Sequence, residues 1–94
     1  MRRAAKRDSN EASFRAALGK TGWLTQQLSI KDWPDLIAIR AGTIRLVELK
    51  VGKNGLSHGQ VECHAMLASF GIDVIVAHTP EEFFKAIDAH KHKI

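Results

Sequence analysis

Trp33-Pro34-Asp35-Leu36-Ile37-Ala38-Ile39-Arg40-Ala41-Gly42-Thr43-Ile44-Arg45-Leu46-Val47-Glu48-Leu49-Lys50 decides how the rest of the chain is read. Two apolar runs flank Ala41-Gly42, where glycine supplies the backbone angle of a short turn, so the stretch predicts a β-hairpin. A loop symmetric about Ala41-Gly42 sets Arg40 against Thr43 and, counting outward, Asp35 against Glu48. Opposed residues hold their Cβ atoms only ~4.5–5.5 Å apart, so two like charges so placed repel unless something positive lies between them. Strand side chains alternate, which puts Glu48 and Lys50 on one face and Leu49 on the other. One face of one hairpin thus gathers Asp35, Glu48 and Lys50. Paired carboxylates suit a hard divalent cation such as magnesium, and an ammonium beside them suits a phosphate or an activated water. A three-residue loop would shift the register by one and undo the facing pair.

Upstream, Asp8 or Ser9 is expected to cap a first helix running through Leu18, with Gly19 ending it. Glu11, Phe14, Arg15 and Leu18 fall on one stripe of that helix. Glu11 therefore shares a face with the residues that dock on the body, although as a first-turn carboxylate it also suits the helix dipole. Trp23 to Leu28 reads as a strand. Pro34, which has no N–H to donate, is expected to begin the next strand rather than interrupt it.

Downstream, residues 51–56 form a loop carrying Lys53, and Ser57-His58-Gly59-Gln60 fits a capping box that opens a second helix. Capping by itself accounts for Gln60. Val61, Ala65 and Ala68 line one side of this helix, broadened by Met66, Leu67 and Phe70, and Gly71 stops it. The apolar run Ile72 to Ala77 fits a strand covered on both faces, reached by a helical crossover and so parallel to the second hairpin strand. Thr79-Pro80-Glu81-Glu82 starts a last helix anchored by Phe83, Phe84 and Ile87. The expected class is α/β, order αβββαβα, with a mixed sheet of about four strands flanked by helices.

Ninety-four residues fit one domain, 1–94. No apolar run approaches the ~20 residues that span a membrane. The start lacks the apolar stretch of a secretory signal, and the lone Cys63 excludes an internal disulfide, so a reducing cytoplasm is expected. The net charge is +4, yet six of the fourteen basic residues lie near the ends: Arg2, Arg3, Lys6 and Arg7 in front, Lys91 and Lys93 behind. The body between them holds eight basic against ten acidic residues, a balance of −2. Basic tails at about 1–7 and 90–94 would either solubilise the chain or attract phosphate backbones through counterion release. The five histidines do not spell a zinc site: His58 and His64 are not on one helical face, and no CxxC or HExxH pattern occurs. Cys63 reads as a packed residue.

A helix bearing Glu11, then Pro34-Asp35 thirteen residues before Glu48-Leu49-Lys50 across a hairpin, resembles the PD-(D/E)XK nuclease superfamily. Gly55-Leu56-Ser57-x-x-Gln60 directly after it makes the chain similar to the VRR-NUC family, in the stand-alone form of bacteria and phages. The resemblance spans about 11–77, with Trp33 standing where that family commonly has a small residue. It implies a restriction-endonuclease-like core. It also implies metal ligation by Asp35, Glu48 and the backbone carbonyl of Leu49, with Glu11 holding the metal or its waters. Lys50 would position or activate the attacking water, and Gln60 would close the site. The cofactor implied is Mg2+, with Mn2+ as substitute.

The expected activity is metal-dependent DNA endonuclease action on branched or four-way (Holliday) junctions, by a homodimer in a bacterial or phage-infected cell. Arg2, Arg3, Lys6, Arg7 and Lys53 would contact the DNA. Two alternatives stand beside it: a non-catalytic nucleic-acid-binding module of the same fold, and a nuclease subunit that takes its specificity from a partner.

Overall fold

A computed structural model describes the backbone over residues 2–53 and 55–92, and side chains over 10–53 and 55–89. The elements follow in the order α1 (Arg2–Lys20), β1 (Leu24–Gln27), β2 (Leu36–Arg40), β3 (Thr43–Leu49), α2 (His58–Ser69), β4 (Val74–Ala77) and α3 (Pro80–His92). One four-stranded sheet runs β1-β2-β3-β4. The first two pairings are antiparallel and β3 with β4 is parallel, as a helical crossover through α2 requires. Among the described residues no helix is long and apolar enough to cross a membrane.

The β2–β3 hairpin turns on two residues. Arg40 pairs with Thr43, and both turn residues are left-handed, Ala41 at φ 49° and Gly42 at φ 81°. That is the backbone twist a two-residue hairpin favours. Leu36 pairs with Val47, so the next step outward sets Asp35 against Glu48.

The pairing sorts the sheet into two faces. Leu36, Ala38, Val47, Ile75 and Ala77 project to the first face, where they form the core with Phe14 and Leu18 of α1, Trp23, and Phe83 and Ile87 of α3. Phe83 sits at the centre, edge-on to both Phe14 and Trp23. Leu24, Gln26, Ile37, Ile39, Ile44, Leu46, Glu48, Val74 and Val76 alternate to the second face, which carries α2.

Five expectations need correction. The first helix does not start at Asp8 or Ser9: α1 begins at Arg2, because Arg, Ala and Lys are strong helix formers and nothing in that segment breaks the helix. Arg2, Arg3, Lys6 and Arg7 thus belong to a helix rather than a tail, and their side chains lie outside the described residues. The helix also passes Gly19. It ends at Lys20, with Thr21 and Trp23 both donating to the Leu18 carbonyl and Gly22 taking the left-handed φ of 91°. At the other end α3 continues through His92, so 90–92 are helical, while Lys93 lies outside the described residues.

The other two corrections concern the second face. β4 is not covered on both faces, since Val76 is exposed on the second face although it pairs with the buried Glu48. And of the apolar side of α2, lined by Val61, Ala65 and Ala68 and broadened by Met66, Leu67 and Phe70, only Leu67 is buried; the helix buries it with Cys63, flanked by half-buried Gln60 and His64. The physical reason is polar: that side of the helix carries the two donors that grip Glu48.

Candidate functional site

Glu48 is only 2% exposed, the one buried charged residue among the described side chains. Its burial follows from β3, which turns it inward under α2 at the carboxyl end of the strand. A buried carboxylate is costly unless hydrogen-bonded. The amide of Gln60 donates to Oε2 at 3.1 Å, and Nε2 of His64 lies 3.1 Å from Oε1. Burial lowers the His64 pKa, opposed in part by the negative charge of Asp35. The ring is therefore neutral near pH 7, and its Nε2–H is the donor that the carboxylate requires.

Asp35 follows Pro34 and precedes β2. Its Oδ2 accepts the backbone N–H of Leu49 at 2.7 Å, tying the carboxylate to the β3 end. Its own carbonyl accepts from the Leu28 N–H at 2.8 Å, continuing the β1–β2 ladder. Asp35 and Glu48 thus meet across the hairpin, as the register dictates. Lys50 extends the same edge: its backbone N–H bonds the Ala77 carbonyl at 2.9 Å, and the strand alternation puts its side chain on the Glu48 side. Lys53 is exposed in the following loop.

Gln60 has two duties. Its backbone N–H donates to Ser57 Oγ, its Oε1 accepts from the Ser57 N–H, and its Nε2 is left to reach Glu48. The capping box therefore aims the amide at the acid. Glu11 is half-buried on α1, three residues before the core residue Phe14.

Two neighbours have no part in the site in the sequence reading above. His64 lies four residues after Gln60, and that spacing, which puts both on one helical face, is the signal that finds it. Asp32 takes a left-handed φ of 68° in the loop before Pro34. Its carboxylate presses on the first turn of α2 so closely that a Cβ on Gly59 would lie 2.5 Å from Oδ2. Cys63, beneath, has its pKa raised by burial and then by the charges of Asp32 and Glu48. It is a packed thiol, not a nucleophile.

The arrangement concentrates carboxylate oxygens at one end of the sheet beside a lysine on the same edge. Hard oxygen donors from Asp35, Glu48 and the Leu49 carbonyl fit a small divalent cation in kind. Among the described residues no three His, Cys, Asp or Glu side chains already form a metal-holding group. Comparison with family models, with characterised proteins and with solved structures finds no match.

Proposed function

We propose that the chain is a divalent-metal-dependent DNA endonuclease of the PD-(D/E)XK type, resembling the VRR-NUC family and acting in the cytoplasm. The observation that carries the reading is the bond from Leu49 N–H to Asp35 Oδ2, which holds one acid beside another at the start of a Glu-x-Lys triplet. Asp35, Glu48 and the Leu49 carbonyl would hold Mg2+ or Mn2+, with Glu11 reaching it through water. When bound, such an ion neutralises the non-bridging phosphate oxygens and eases deprotonation of a water.

The chain's own residues do the rest. Gln60 and His64 fix both oxygens of Glu48, so the acid presents one orientation. Lys50 offsets the excess negative charge of the acids and stabilises a hydroxide or phosphate oxygen electrostatically. Arg2, Arg3, Lys6, Arg7 and Lys53 attract the phosphate backbone without reading sequence. The substrate proposed is branched DNA, four-way junctions first. A junction is two-fold symmetric and needs paired cuts, which a two-fold homodimer supplies.

The test is a magnesium and manganese titration on duplex, flap, single-stranded and four-way DNA, run beside Lys50→Ala. Metal-dependent cleavage that Lys50→Ala abolishes is expected. A non-catalytic nucleic-acid-binding module is the second reading, favoured by the occupation of both Glu48 oxygens by Gln60 and His64. Binding without products at any metal concentration would establish it. Cutting that begins only when a second protein is added would mark the chain as a partner-dependent subunit.

A further inference from the structure

Gln60 and His64 both grip Glu48, but only one of them can release its oxygen and still serve an ion. The Gln60 side chain is engaged at both ends: its Oε1 accepts the Ser57 N–H, and its Nε2 donates to Glu48 Oε2. An amide nitrogen donates and has no lone pair to offer, so this bond fixes Oε2 and leaves Oε1 to turn toward an ion. Oε1 is the oxygen that His64 Nε2 faces, at 3.1 Å. A neutral imidazole carries its proton on either nitrogen. With the proton on Nε2 the ring donates to the acid. With the proton on Nδ1 instead, Nε2 presents a lone pair.

The surroundings permit that exchange. The His64 side chain is 14% exposed. Its Nδ1 is not sealed from water, since among the described residues Arg45 Nε is the one buried side-chain nitrogen or oxygen left without a partner. The spacing fits as well. Two atoms bound side by side on an octahedral ion, each at about 2.1 Å, lie about 3.0 Å apart, close to the separation of Oε1 and Nε2. Asp35 stands near enough for its charge to act on the His64 ring.

We infer that His64 is itself a ligand of the metal site, its Nε2 exchanging the hydrogen bond to Glu48 Oε1 for a bond to the ion that Oε1 also holds. Protons balance: the one on Nε2 leaves to water, and water returns one to Nδ1. The nitrogen selects the ion. Mg2+ takes oxygen ligands and gains little from an imidazole. Transition ions accept imidazole, with affinity rising from Mn2+ to Co2+. The site therefore prefers Mn2+ and Co2+ to Mg2+. Ligation by His64 presupposes the metal reading of the acid pair, but it needs neither DNA nor cleavage.

Isothermal titration calorimetry of Mg2+ and Co2+ into the full chain, with electron spin-echo spectroscopy of the Mn2+-loaded chain, tests it. The parent is expected to bind Co2+ more tightly than Mg2+ and to show nitrogen coupling to Mn2+. His64→Gln keeps a donor for Glu48. It is expected to lose the coupling and to weaken Co2+ at least about tenfold while changing Mg2+ by less than about threefold. Retained Mg2+ binding shows that the acids are still in place. His58→Gln removes an exposed histidine of the same helix, paired with Glu62, and should change none of these. A parent without nitrogen coupling overturns the inference. So does a His64→Gln chain that loses Mg2+ and Co2+ equally, the mark of a residue that only positions Glu48, or loss of the coupling through His58→Gln instead. A chain that binds Mn2+ through nitrogen but never cuts DNA would sink the nuclease reading alone. One that cuts DNA with Mg2+ and shows no nitrogen coupling would sink only the ligation by His64.

Discussion

Asp35 Oδ2 accepts the backbone N–H of Leu49 at 2.7 Å across the hairpin, so the acid that precedes β2 is held by the residue following the acid of β3. The two carboxylates are neighbours because the chain ties one to the backbone of the other, and that tie sets what each substitution does.

Asp35→Asn and Glu48→Gln keep the size of the side chain and an oxygen acceptor while removing the charge. Each should lower metal-dependent cleavage by at least about 100-fold, as loss of a ligand does. The charge repulsion relieved would by itself stabilise the fold. Full truncation is different: Glu48→Ala strands Gln60 and His64, and Asp35→Ala strands the Leu49 N–H, each costing about 1–3 kcal/mol. Urea unfolding without metal, beside single-turnover cleavage with it, separates the two effects. Added Mg2+ should raise the parent's melting temperature and not that of Asp35→Asn.

His64 makes stability depend on pH. Burial depresses its folded pKa below the ordinary value of 6.5. Between the two values the unfolded chain binds more protons than the folded one. The contribution is therefore complete above the unfolded pKa and is lost as pH falls through the folded one. Metal-free protein should melt at lower temperature as pH drops below about 6.5, and His64→Gln should flatten that slope. An equal slope in the variant would show that other groups carry it.

Gly59 sits in helical backbone, where alanine is ordinarily favoured by about 1 kcal/mol. Here the added Cβ would lie within 2.7 Å of three Asp32 side-chain atoms, on a short side chain that has little room to swing away. The clash should win, and Gly59→Ala should lose about 1–3 kcal/mol in urea unfolding. Gly59→Ala combined with Asp32→Gly should recover most of the loss.

Ala41 takes a left-handed φ of 49° in the turn, which costs an L-residue with no local polar compensation about 1–2 kcal/mol. Asn-Gly is the preferred pair for such a turn. Ala41→Asn should raise the melting temperature by about 2–6 °C, from about 0.5–1 kcal/mol on a chain of this size. Cleavage should not change, since the turn lies at the opposite end of the hairpin from Glu48.

What the sequence determined by itself is the local order. Alternation along 36–49 with Ala41-Gly42 between set the hairpin; of the two registers it allowed, the structure takes the two-residue turn, and so the meeting of Asp35 with Glu48. The Ser57-x-x-Gln60 box set the start of α2, and the Glu11-Phe14-Leu18 stripe set the docked side of α1. These follow from periods of 2 and 3.6 and from short-range hydrogen bonds. Tertiary structure decided how α2 is turned: Val61, Ala65 and Ala68 face water, while the side with Gln60 and His64 faces the buried carboxylate of Glu48, which needs hydrogen-bond donors. It alone brought Asp32 against Gly59, through a strained loop with no periodic signal. And it left Leu24, Ile44 and Val76 exposed on the second face, because one twelve-residue helix does not cover four strands.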